Sequence, residues 1–172
     1  MIYFTSDMHF YHYNIIGYCN RPFKTVEEMN ETIVKNWNDT VKSTDSVYVL
    51  GDVSFGFADQ TRDILCRLNG FKHLIMGNHD RKGKHSKKTA PFPWEDYFES
   101  VSDYRHLNVE GILYVLCHFP FSSWEPRHIN LHGHTHGTHQ HHNGQWDVGV
   151  DCNEFRPITY LEARDRAIKQ NS

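Results

Sequence analysis

Residues His73 to Asp80 read HLIMGNHD, a short apolar run and a glycine followed by a carboxamide, an imidazole and a carboxylate. A short apolar run bounded by turn residues reads as a buried strand. The polar trio therefore stands just beyond a strand's carboxyl end. The same order recurs along the chain. Met1 to Ser6 (MIYFTS) leads into Asp7-Met8-His9, and Val47 to Leu50 (VYVL) leads into Gly51-Asp52. Ile112 to Cys117 (ILYVLC) leads into His118, and Ile129 to His132 leads into Gly133-His134-Thr135-His136. In open α/β sheets, ligands bind beyond the carboxyl ends of strands. These five strand ends, far apart in sequence, are expected to converge on one pocket.

Helices are expected between the early strands. Val26 to Val41 carries Val26, Met29, Ile33 and Trp37 at helical spacing, with Thr25 and Glu28 placed as a capping box. Gln60 to Leu68 is a second helix, ended by Gly70. A last helix covers Tyr160 to Lys169 behind a Thr159/Glu162 capping box. Lys82 to Pro93 is polar and basic and reads as a loop, and Asn143-Gly144 reads as the tight turn of a hairpin. Early strands alternate with helices and later strands come in hairpins. That order predicts an α/β fold with a two-layered sheet core and helices outside. No internal repeat or linker interrupts the 172 residues, so one domain spanning 1–172 is expected.

The chemistry of the clusters points to metal. The chain holds 14 histidines, scattered rather than gathered into a tag, and histidine is the commonest metal ligand. Asp and His with an Asn carbonyl, and no thiolate, suit manganese, iron or zinc. Structural zinc sites more often use cysteines. Asp7-x-His9 and His134-x-His136 are strand-like spacings that place two side chains on one face.

The ordered set Asp7-x-His9, Gly51-Asp52, Gly77-Asn78-His79-Asp80, His118 and Gly133-His134-x-His136 resembles the calcineurin-like metallophosphoesterase superfamily. The resemblance covers residues 7 to 136. It implies a four-layer α/β/β/α sandwich with two divalent metal ions, manganese first and iron or zinc otherwise. One ion would take Asp7, His9, Asp52 and His136. The other would take Asp52, Asn78, His118 and His134, so that Asp52 bridges them. A metal-bound hydroxide would then attack phosphorus. His79 would stabilise the phosphoryl charge or protonate the leaving group, with Asp80 orienting His79. Residues 12–23 (HYNIIGYCNRPF) also resemble small bacterial and phage members of that superfamily. This makes Arg21 a candidate phosphate clamp, with His12 and Asn14 at the pocket rim.

The implied activity is hydrolysis of a phosphoric ester. A chain this short has no room for a capping or DNA-binding domain, which favours a phosphodiesterase acting on a small nucleotide-like substrate. A phosphomonoesterase, protein phosphatases included, is the alternative. A catalytically silent scaffold of the same fold is a further one. The net charge of −3 gives no global reason for polyanion binding, although Arg81 to Lys88 (RKGKHSKK) is locally basic. Nucleic acid is therefore not indicated as a partner, and oligomeric state is open. His139, His141 and His142 flank the expected hairpin turn and read as solvated. Cys19, Cys66, Cys117 and Cys152 form no CxxC pair, and Cys66 and Cys117 sit in apolar surroundings that suit buried reduced thiols. No apolar run approaches the ~20 residues needed to span a bilayer. A cytoplasmic location without a membrane partner follows as an expectation.

Overall fold

A computed structural model describes residues 1–81, 92–140 and 142–169. The fold is mixed α/β, with two sheets and four helices among the described residues. The first sheet contains β1 (Ile2–Thr5), β2 (Ser46–Val49), β3 (Phe71–Ile75) and β4 (Ser100–Ser102). The second contains β5 (Tyr104–Val109), β6 (Ile112–Cys117), β7 (Ile129–His132) and β8 (Gln145–Asp147). β9 (Ile158–Thr159) returns to the first sheet, giving the orders β4-β3-β2-β1-β9 and β5-β6-β7-β8. Within the first sheet β1 to β4 are parallel and β9 is antiparallel to β1. In the second, β6, β7 and β8 are parallel and β5 is antiparallel to β6.

The first sheet is buried on both faces, which is why its strands read as continuous apolar runs. Tyr3, Val47, Val49 and Leu74 pack on one face with Met29, Ile33 and Trp37 of α2 (Val26–Thr40) and Ile64 and Leu65 of α3 (Ala58–Arg67). Phe4, Tyr48, Leu50 and Ile75 point the other way. They meet Tyr114, Leu116 and Leu131 of the second sheet, and Ala163 and Ala167 of α4 (Tyr160–Lys169). The short α1 (Tyr13–Tyr18) lies between β1 and α2. No helix of the described residues is long and apolar enough to cross a membrane.

Both expected capping boxes have clear donors and acceptors. The Glu28 amide donates to Thr25 Oγ1 at 3.1 Å, although the Glu28 carboxylate takes the Lys24 amide rather than that of Thr25. At α4 the exchange is reciprocal: the Glu162 amide donates to Thr159 Oγ1 and the Thr159 amide to Glu162 Oε2.

Two expectations need correction, and a third falls outside the described residues. Asn143-Gly144 is a turn, with Gly144 at φ +81°, but it does not join a hairpin. β7 and β8 pair in parallel, Leu131 beside Trp146, so residues 133–144 carry the chain back to the start of β8. The hairpin of this sheet joins β5 to β6 through Glu110-Gly111, whose φ values of +51° and +85° suit a tight turn with both central residues left-handed. Cys66 is exposed and Cys117 half-buried, because both sit on the outward sides of their elements, although all four cysteines are free thiols. The basic run expected as a loop, with His85 inside it, and His141 lie outside the described residues apart from Arg81.

Candidate metal centre

The five parallel strands β1, β2, β3, β6 and β7 end at one edge of the molecule, and the polar cluster following each end meets the others there. The local backbone is unusual. Asp7, His9, Asp52, His134 and His136 all have φ between +48° and +70°, a region non-glycine residues rarely enter. Such conformations persist where surrounding contacts over-determine them, and they gather at functional sites. Here the contacts are amide hydrogen bonds between strand ends: Asp7 N to Gly51 O at 3.0 Å and His9 N to Asp52 O at 3.1 Å. Close approach also demands glycine. A Cβ at Gly133 would sit 1.9 Å from Ser6 Oγ, and one at Gly77 would sit 2.3 Å from Asp52 Oδ1.

The donor atoms converge without ordinary partners. Asp7 Oδ2 accepts from Ser6 Oγ and from the His134 amide at 2.9 Å. Asp7 Oδ1 and His9 Nε2 are buried with no hydrogen-bond partner. They lie 3.7 Å apart, and His136 Nε2 is 4.0 Å from the same Asp7 oxygen. Asp52 Oδ2 is ringed by three imidazole nitrogens: His9 Nε2 at 3.5 Å, His118 Nε2 at 3.7 Å and His79 Nε2 at 3.9 Å. His118 Nδ1 donates to the Leu50 carbonyl at 2.7 Å, which leaves its Nε2 as an unshared lone pair. That lone pair faces the Asn78 side-chain oxygen at 3.0 Å. Acceptors crowding acceptors is the arrangement a cation resolves. The His134 ring lies 5.1 Å from that of His118, centroid to centroid. The residues expected as ligands are thus brought together, and their donors fit borderline divalent ions.

Electrostatics follow burial and neighbours. Burial alone would raise the Asp7 carboxyl, but His9, His118 and His136 outweigh it and hold it well below the usual carboxylate range. Burial pushes the His9 imidazole down, despite Asp7 and Asp52. Burial would lower His136 as well, yet its hydrogen bonds to Asp151 and Cys19, with Asp7 nearby, push it up to about 10.

His79 stands over this cluster with its side chain 46% exposed and forms part of the cavity wall. Asp80 does not touch its ring. The buried Asp80 carboxylate instead accepts the amides of Asp52 and Gly77, each at 2.8 Å, and of Val53 at 2.9 Å. Burial raises this carboxyl to about 6 against those donors. The expected role in orienting His79 is corrected: Asp80 ties the β2 and β3 ends together because three amides there have no other acceptor.

Arg21 is also reassigned. Its side chain is fully buried and cannot reach a ligand. Nε and Nη2 bracket Asp151 at 2.7 and 2.8 Å, while Nη1 donates to the Met8 carbonyl and Nη2 to that of Asp7. Asp151 in turn holds His136 Nδ1 at 2.7 Å, which leaves His136 Nε2 facing Asp7. This carboxylate–histidine pairing is the arrangement that orients ligating imidazoles. The sequence offered no sign of it, since Asp151 is 130 residues from Arg21.

His12 does line the cavity over the cluster, which measures about 680 Å³ and includes Ile15, Tyr18, Phe55 and His79 in its wall. Its ring stacks on Phe55 at 3.9 Å and 8°. Asn14 is not in that wall; it lines a smaller depression with Tyr13 and Phe23, because α1 turns it away. Phe55 was not singled out in the sequence, where it sits in an ordinary Ser-Phe-Gly turn. His132, buried at the end of its strand, donates from Nδ1 to the Gly133 carbonyl at 2.8 Å.

No protein-family model matches the chain. It is 41% identical over 142 residues to the Uncharacterized protein MJ1445 of Methanocaldococcus jannaschii, across 80% of this chain and 70% of that one. It is 32% identical to the Gene 66 protein of Mycobacterium phage L5, across 87% of this chain and 86% of that one. Among solved structures, a protein of unknown function from Aquifex aeolicus, AQ665, is similar with a TM-score of 0.74 and 28% identity, over 98% of this chain and 99% of that one. With strand-end histidines and carboxylates gathered on a fold shared across that length, this chain belongs to the family of the Methanocaldococcus protein MJ1445 and the mycobacteriophage gene 66 proteins.

Proposed function

We propose that the chain is a metal-dependent phosphoric ester hydrolase of the calcineurin-like metallophosphoesterase type. The observation that carries this reading is the set of unmatched donors: Asp7 Oδ1 and His9 Nε2 buried without partners, and Asp52 Oδ2 facing three imidazoles. Asp7, His9, Asp52 and His136 would hold one divalent ion, and Asp52, Asn78, His118 and His134 the other. Two ions in such a site lower the pKa of a shared water and neutralise phosphate oxygens. The finer fold reading, a four-layer α/β/β/α sandwich, belongs to the same proposal. Three of its layers are supported by α2 and α3 on one face of the first sheet and the second sheet on the other.

The chain's own residues supply the rest. His79, exposed at the mouth, donates a proton to the leaving oxygen or a hydrogen bond to the phosphoryl group. Asp151 and Arg21 fix His136, and Asp80 fixes the loops that carry Asp52 and Asn78. The aromatic wall of His12, Phe55 and Tyr18 suits an organic group on phosphorus and supports a phosphodiesterase acting on a small nucleotide-like substrate. A cytoplasmic location is part of this reading, supported by the four free thiols.

The test is turnover of bis-p-nitrophenyl phosphate, p-nitrophenyl phosphate and cyclic nucleotides by protein loaded with manganese, iron or zinc, before and after chelation. Diester hydrolysis that chelation abolishes and metal restores is expected. Hydrolysis of the monoester alone would overturn the diester assignment. Inactivity with every metal would leave a silent scaffold.

A further inference from the structure

A second group of metal-ligating side chains lies away from the strand-end cluster, on the outer face of the second sheet. His106 of β5 pairs in register with Val115 of β6, and Val115 with Asn130 of β7. Tyr114 and Leu116 point into the intersheet core, so Val115 and its row neighbours His106 and Asn130 lie on the sheet's opposite face, where Val115 and Asn130 are covered and His106 is exposed. His128, two residues before Asn130, shares that face. The β7 strand separates His128 from His134, and its four residues span about 13 Å.

Local structure brings Glu125 to the same place. The His128 amide donates to the Glu125 carbonyl at 3.2 Å, closing a turn that puts both side chains on one side. Trp124 Nε1 donates to the His128 carbonyl at 2.8 Å and braces that turn. One donor atom from each of His106, Glu125 and His128 lies within 4.8 Å of the others. His106 Nε2 is 3.8 Å from Glu125 Oε1, and His128 Nε2 is 3.6 Å from Glu125 Oε2. The His128 side chain is only 14% exposed, and its Nδ1 donates to the Pro126 carbonyl at 3.3 Å. That bond leaves Nε2 as the lone-pair nitrogen aimed at the carboxylate. The Tyr104 hydroxyl hydrogen-bonds the same His106 Nε2 and places a further oxygen beside the group.

We propose that His106, Glu125 and His128 form a further metal site that takes a zinc-class divalent ion and ties the Trp124–His128 turn to β5. Two imidazole nitrogens and one carboxylate oxygen are a donor set zinc accepts, with the remaining position open to water. The site shares no residue with the strand-end cluster and does not rest on the phosphoesterase reading.

Zinc content after equilibrium dialysis of the full chain tests it, comparing wild type with the His106→Ala/His128→Ala double variant. The expected result is one zinc fewer per chain in the variant. Because the readout is a difference, it holds whether or not the strand-end cluster binds metal. Equal zinc content in wild type and a folded double variant overturns the site. His106→Ala alone changes an exposed residue on an edge strand and is the comparison to read if the double variant unfolds. It too should hold one zinc fewer, and a full complement in it overturns the site equally.

Discussion

Arg21→Lys separates the two roles open to this arginine. In the structure its guanidinium is fully buried and brackets both oxygens of Asp151 at 2.7 and 2.8 Å. The same group donates to the Met8 carbonyl at 3.0 Å and to the Asp7 carbonyl at 2.8 Å. A lysine keeps the charge but carries its donors on one atom, so it cannot bracket Asp151 and also reach both carbonyls. Two acceptors lose their donor in a buried setting, at about 1–3 kcal/mol each. A net loss of about 3 kcal/mol lowers Tm by roughly 6–12 °C in a chain of this size. Thermal unfolding followed by circular dichroism in chelator measures this without any contribution from bound metal. Metal titration of the folded variant should also show weaker binding, because Asp151 loses the support that holds His136. KM for a phosphodiester should stay close to wild type, since the guanidinium does not reach the cavity. A Tm within about 2 °C of wild type together with a raised KM would refute the reasoning and restore the phosphate-clamp role.

Three further outcomes are expected. His79→Ala should keep its metal content and lose about 10²–10⁴-fold in kcat, as removal of a general acid does, whereas near-normal turnover would strip His79 of that role. Gly133→Ala places a Cβ 1.9 Å from Ser6 Oγ and 2.2 Å from Asp7 Oδ2, so metal affinity should collapse; wild-type affinity by titration calorimetry would count against the close packing of these strand ends. Glu162 is held below its ordinary 4.5, because its bonds to Arg156 and Thr159 outweigh the opposing effect of burial. Its stabilisation is therefore present above about pH 4.5 and lost as pH falls through the lowered value. Glu162→Gln should cost about 1 kcal/mol at neutral pH and flatten the acid limb of the stability curve, and an unchanged limb in denaturant melts would show that α4 owes nothing to this carboxylate.

The relatives and this chain are similar in sequence over most of their length, which makes the strand-end cluster a property to test in MJ1445 and the phage proteins as well. The outer-face group of His106, Glu125 and His128 can be examined in the same proteins by the same zinc measurement.

What could be read from the sequence was local. HLIMGNHD, MIYFTSD, VYVLGD, ILYVLCH and INLHGH each mark a strand and the polar residue beyond it, because an apolar run and the polar residue that ends it, after a glycine in three of the five, are adjacent in the chain. The helices Val26–Thr40 and Tyr160–Lys169 were legible for the same reason: their periodicity and caps lie within a few residues. Only the tertiary structure decided which strands pair. The Asn143-Gly144 turn is visible locally, yet the parallel pairing of β7 with β8 depends on where a 12-residue connection returns. It likewise decided that Asp80 ties two loops rather than touching His79, and that Arg21 serves Asp151 rather than a substrate. Residue type supplied the charge and the donors of Arg21. Its partner, 130 positions away, is set by packing across the whole molecule, which no local pattern encodes.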